Sequence, residues 1–145
     1  MQLTPNFTLE EFEVTSTRFN NTVPQEFIPR LLSLAKTLEI IRALANKPIK
    51  ISSGYRSKAV NDAVGGKPSS AHTLGYAADI SIEGMTAKEI VELIKSHSSI
   101  KFDQCVEEYK IKTDSKGKVI SKTEWVHFSV DPRFRQQVFT LVNGK

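Results

Sequence analysis

The stretch Ser70–Ile82, SAHTLGYAADISI, sets a histidine in a turn, a glycine behind it and an alternating segment after that. From Ala77 onward, Ala78, Ile80 and Ile82 fall on one face of an extended chain, and Ala77, Asp79 and Ser81 fall on the other. This predicts a half-buried β-strand whose Asp79 points away from the core. Gly75 allows a sharp change of direction, so His72 in the turn and Asp79 in the strand can converge.

The same parity rule applies further along. In TEWVHFSV, Val126, Phe128 and Val130 take the core side, and His127 shares the other side with Trp125 and Ser129. Turn residues at Asp114–Gly117 join a strand over Lys118–Val130 to one over Cys105–Lys112, which predicts an antiparallel hairpin. A further strand is expected over Ile49–Ser53. Phe27, Leu31, Leu34, Leu38, Ile41 and Ala45 recur at spacings of three and four, predicting a helix over Pro24–Ala45 that stops at Asn46 and Pro48. Thr8 with Glu11, and Thr86 with Glu89, read as capping boxes; the second opens a helix carrying Ile90, Val91, Leu93 and Ile94. Lys58–Val64 reads as a short helix stopped by Gly65 and Gly66. Asp131 and Pro132 read as the cap and first residue of a closing helix with Phe134, Val138 and Leu141. Helices and strands are partly segregated, so the expected class is α+β, a small antiparallel sheet with flanking helices.

With 145 residues, no repeat and no linker, residues 1–145 form a single domain. Hydrophobic residues make up 39% and charged residues 25%, ordinary for a globular chain, and no apolar run approaches the roughly 18 residues of a membrane span. The N-terminus has neither the basic nor the apolar region of a secretory signal, so accumulation in the cytoplasm is expected. The single cysteine, Cys105, can form no internal disulfide and reads as a buried structural thiol. The net charge of +4 suits an anionic surface and would equally fit weak nucleic-acid binding, but no basic stripe is interleaved with aromatics, which argues against nucleic acid. Nothing in the sequence points to oligomerisation, so a monomer is expected.

Three histidines are present: His72, His97 and His127. His97 falls at the end of an amphipathic helix, where a cation complements the helix dipole, and reads as structural. His72, Asp79 and His127 offer two imidazoles and a carboxylate. That is a three-ligand zinc set with a fourth position for water. Spacing alone also fits a histidine satisfied by a surface aspartate. A helical HExxH motif is absent.

The flanking residues are more specific. SSGYRS, then S-x-H-x-x-G-x-A-x-D from Ser70 to Asp79, then E-x-x-H from Glu124 to His127 occur in that order. Over about residues 49–130 the chain resembles the zinc D-alanyl-D-alanine carboxypeptidases. That family also takes in D-Ala-D-Ala dipeptidases and phage endolysins that cut L-alanyl-D-glutamate bonds. The resemblance implies a hedgehog/DD-peptidase-like fold and a zinc ion on His72, Asp79 and His127. It implies Glu124 as general base and Arg56 beside the metal, stabilising the substrate carbonyl. Ser70 and Asn61 would hydrogen-bond a peptidoglycan peptide, although both also suit turn and cap chemistry, and Arg56 also suits a structural ion pair. A phage-type lysin that reaches the wall after the membrane is breached fits this picture. A non-catalytic zinc-containing binding module of the same fold is the alternative.

Strand parity raises one conflict. Glu124 and His127 are separated by an odd number of residues, so a regular strand puts them on opposite faces. Glu107 and Glu108 on the partner strand are the other candidate bases.

Overall fold

Thr8 and Thr86 each start a helix by the same reciprocal bonding, hydroxyl to the third backbone N–H and glutamate back to the cap. The computed structural model describes all residues from Met1 to Lys145. A small antiparallel pair, β1 (Gln2–Thr4) and β2 (Phe7–Thr8), precedes α1 (Leu9–Phe12). A 3-10 turn at Gln25–Phe27 leads into α2 (Ile28–Ala45), which ends on Asn46 in the left-handed conformation. Then follow β3 (Lys50–Ser53), α3 (Lys58–Ala63), a 3-10 turn at Ala71–Leu74, β4 (Ala77–Ser81) and α4 (Ala87–Lys95). The chain closes with β5 (Gln104–Thr113), β6 (Val119–Ser129) and β7 (Gln137–Val142).

The large sheet has the order β3-β4-β6-β5-β7, antiparallel except for the β5–β7 pair, which is parallel. The fold is therefore α+β, with a mixed rather than purely antiparallel main sheet. One face of the sheet presents Ala78, Ile80, Cys105, Val126 and Phe128 to a core completed by Leu31, Leu34, Leu38 and Ile41 of α2 and by Ile90 and Ile94 of α4. Helix α2 contacts α4, and α4 lies on β5 and β6. Every side chain named in that core is essentially excluded from water, and each Leu, Ile, Val and Phe among them contributes roughly 1.5–3 kcal/mol of transfer free energy.

The closing helix expected from Asp131 and Pro132 is absent. Asp131 instead accepts from the backbone N–H of Arg133, forming a turn, and residues 137–142 run as β7 along β5. The free edge of β5 supplies six ladder partners to QVFTLV, a stretch of β-branched and aromatic residues that suits an extended backbone. Local cap chemistry was outweighed by a nonlocal edge.

Candidate metal centre

The opposite face of the sheet carries the polar residues that the alternation set aside. Registration across β4 and β6 pairs Asp79 with His127. In a sheet, directly paired residues share a face, so their side chains rise side by side. His72 reaches the same spot from the 3-10 turn packed on β4. Its Nε2 lies 3.2 Å from Asp79 Oδ1 and 3.2 Å from His127 Nδ1, and His127 Nδ1 lies 3.4 Å from Asp79 Oδ1.

These separations fit a metal. Ligands at about 2.0–2.1 Å from a tetrahedral zinc are about 3.3 Å apart. The tautomer also fits. His72 Nδ1 is 2.7 Å from the Gly54 carbonyl oxygen. A carbonyl only accepts, so Nδ1 carries the proton and Nε2 keeps its lone pair for the cluster. Glycine is needed at that second-layer position: a Cβ on Gly54 would lie 2.8 Å from the Phe12 backbone, so only glycine lets this loop settle on the end of α1. A second tie, Arg56 N–H to the His72 carbonyl at 3.0 Å, locks the turn to the β3–α3 loop. Gly75 ends the turn at φ 80, where a side chain would be strained.

Burial holds the His72 imidazole below its ordinary pKa, outweighing the opposing pull of Asp79. Burial would raise Asp79, but the charge and hydrogen bonds of His72 and His127 prevail and hold it far below the usual carboxylate range. A neutral imidazole and an ionised carboxylate are the forms that bind a metal. The three residues are the group in this chain with donor geometry for one ion.

Arg56 borders the cluster. Its Nε donates to Ser53 Oγ at 3.0 Å, Nη1 to Asn61 Oδ1 at 3.3 Å and Nη2 to Asp79 Oδ2 at 3.3 Å. Asn61 is buried, and its Nδ2 donates to the Lys67 carbonyl at 2.9 Å. Both ends of that amide are engaged within the protein, behind Arg56. Ser70 caps the 3-10 turn, its Oγ accepting from the His72 N–H at 3.2 Å.

Glu124 is not brought to the cluster. It lies within β6, paired with Tyr109, and its odd separation from His127 turns it to the helical side of the sheet. There its Oε1 accepts from the Ala87 N–H at 2.6 Å, at the start of α4. A carboxylate is favourable at a helix N-terminus. Glu108 shares the metal face instead: Val106 is paired with His127, and Glu108 is two residues further along β5, opposite Trp125. Burial raises the Glu108 carboxyl pKa and the Asp79 charge adds to this, against the pull of His127 and Arg56. The Trp125 indole N–H, beside it, is buried with no formed hydrogen bond. Parity left Glu124 usable only if the strand began after it or bulged there; the β5–β6 ladder is regular at that point, and the same register chooses Glu108 over Glu107.

The remaining candidates are structural. His97 Nδ1 lies 3.2 Å from the Leu93 carbonyl beyond the end of α4. Cys105 is buried, which pushes its thiol up to about 12.

An α+β sheet carrying a buried His–Asp–His cluster, with an arginine alongside, presents a site whose donors could hold one metal ion. Residues 5–128 match the family described as Peptidase M15, and the chain belongs to that family. Its members are zinc-dependent peptidases, which agrees with the donor set of His72, Asp79 and His127. No curated protein sequence matches the chain. No helix is long and apolar enough to cross a membrane.

Proposed function

We propose that the chain is a monomeric zinc peptidase that hydrolyses peptide bonds in peptidoglycan stem peptides or cross-links, in the manner of a carboxypeptidase or a phage-type endopeptidase. The observation that carries this reading is the tetrahedral spacing of the His72, Asp79 and His127 donors, with Glu108 on the same face of the sheet. The net charge of +4 supports attraction to an anionic wall.

Bound zinc would polarise the scissile carbonyl and make water nucleophilic near neutral pH. The protein residues then divide the remaining work. Arg56, held from three sides, directs the rest of its donor fork at the carbonyl oxygen as negative charge develops there. Asn61 acts through Arg56, as the residue that orients the guanidinium, rather than on the substrate. Ser70 fixes the turn that delivers His72. Glu108 takes the proton from the attacking water and returns it to the leaving amine. Burial raises its pKa, the direction that helps a carboxylate hold the proton between the two transfers.

Two substitutions test the assignment against purified peptidoglycan, with released peptides identified by mass. Glu108→Gln should retain zinc and lose hydrolysis. Glu124→Gln should retain hydrolysis and lose about 1 kcal/mol of stability through the weakened start of α4. The opposite pattern would return the base to Glu124 and refute the face argument. Release that survives complete removal of metal would refute the zinc mechanism.

A further inference from the structure

Strand β7 lies outside the residues that match the family, yet it extends the face that holds the cluster. The register fixes which of its side chains do so. Phe139 is paired with Val106, which is paired with His127, which is paired with Asp79. One row therefore crosses four strands from the metal ligands to the sheet edge. In the next row Trp125 is paired with Glu108, and Glu108 with Leu141. Neighbouring strands are about 4.8 Å apart, so Leu141 stands immediately beside Glu108, and Phe139 about 10 Å from His127. Val106 is buried on this face but is not part of the main core. Phe139, in contrast, is 39% exposed, and Leu141 is half-buried. The result is an apolar shelf, continuous with the cluster and lying on the far side of Glu108 from Arg56.

We infer that Phe139 and Leu141 form the subsite for the residue that leaves, and that they select an apolar side chain there over an acidic one. This rests on the peptidase reading above. The scissile carbonyl lies between the metal donors and Arg56. The leaving amine must take its proton from Glu108, so it lies on the Glu108 side. The side chain attached to that amine then falls over Leu141 and Phe139, the next groups along both rows. Burying one or two methylenes there gives a discrimination of about tenfold or more. A leaving residue of the alanine or leucine type suits the shelf. A carboxylate side chain would lose water against it without gaining a partner from either residue.

The test uses zinc-loaded protein and synthetic peptides that differ only in the leaving residue: glycine, alanine, leucine or glutamate. The wild-type protein should favour alanine and leucine over glycine and glutamate in kcat/KM. Phe139→Ser and Leu141→Ser should reduce the leucine-to-glycine ratio by about tenfold without changing zinc affinity. Val138→Ser is the control: Val138 is equally exposed on the same strand but paired with Cys105, on the opposite face, so the ratio should not move. A second readout is independent of turnover. Trp125 is the sole tryptophan and lies in the shelf row, so its emission can report binding of leucine amide. That binding should weaken in Phe139→Ser and not in Val138→Ser. An unchanged ratio in both shelf variants, an equal change in the control, or a wild-type preference for glutamate would overturn the inference. So would a dimer that dissociates on Phe139→Ser while the ratio holds, because the shelf would then serve self-association. If no peptide is cleaved at all, the peptidase reading fails, and the Trp125 titration alone decides for or against the shelf.

Discussion

Replacing Gly66 by alanine would place a Cβ 2.0 Å from Asn61 Oδ1, 2.7 Å from Asn61 Cγ and 3.1 Å from Arg56 Nη1. Two atoms cannot share that space. Asn61 is buried and cannot swing aside freely, so it must turn or the 65–67 loop must retreat. Either movement breaks the bonds from Arg56 Nη1 to Asn61 Oδ1 and from Asn61 Nδ2 to the Lys67 carbonyl. One is charge-assisted and one neutral, together about 2–4 kcal/mol if both are lost unreplaced. The exposed loop can relieve part of the clash, so the expected loss of stability is about 1–2 kcal/mol. The catalytic effect is larger in proportion. Arg56 keeps its bonds to Ser53 and Asp79 but loses its third anchor, and a misplacement near 1 Å costs up to about a hundredfold in rate. Gly66→Ala should therefore lower kcat by about ten- to a hundredfold, with zinc affinity preserved because no ligand touches Gly66. Gly65→Ala separates contact from backbone strain. Gly65 has φ +75 and nothing within 4 Å of its Cβ position, so it should lose stability without losing kcat. The assay is steady-state hydrolysis beside zinc competition with a chelating dye and thermal unfolding. Unchanged kcat in Gly66→Ala, or zinc affinity falling in step with activity, would refute the role given to Asn61 and Arg56.

Three further outcomes follow from the same geometry. Zinc at about a hundredfold above its dissociation constant should stabilise the fold by about 2.7 kcal/mol, raising Tm by about 10 °C, and His72→Ala should abolish that rise in calorimetry. The Arg135 guanidinium, bonded to Asp103 at 2.8 Å through both Nε and Nη2, holds that carboxyl below its ordinary pKa. A lowered folded pKa gives stability that is present above the unfolded value of about 3.9 and lost as pH falls through the folded value. Asp103→Asn should therefore cost about 2 kcal/mol at pH 7, with the gap from wild type closing below about pH 4 in denaturant melts. Cys105, buried and pushed up to about 12, should resist thiol reagents in the folded protein and react only on unfolding; rapid labelling of native protein would contradict its placement.

Period and parity belong to the local chain, and they were readable without coordinates. Alternation put Asp79 and His127 on the side away from Ile80 and Phe128, and Glu124 on the other side. The spacing of Leu31, Leu34, Leu38 and Ile41 marked the buried stripe of α2, and both capping boxes formed where their residues stood. Each of these depends on neighbours a few positions away. Registration between strands does not. Only the tertiary structure set Asp79 against His127 and Val106 against His127, brought Glu108 rather than Glu107 to the metal face, and turned the Gly54 carbonyl to His72 Nδ1. It also decided residues 131–142. There, Asp131 and Pro132 carry the local signal of a helix start, but the ladder along β5 recruits the segment as a strand. A free sheet edge is made by residues far away in sequence, and no local pattern records that it is there.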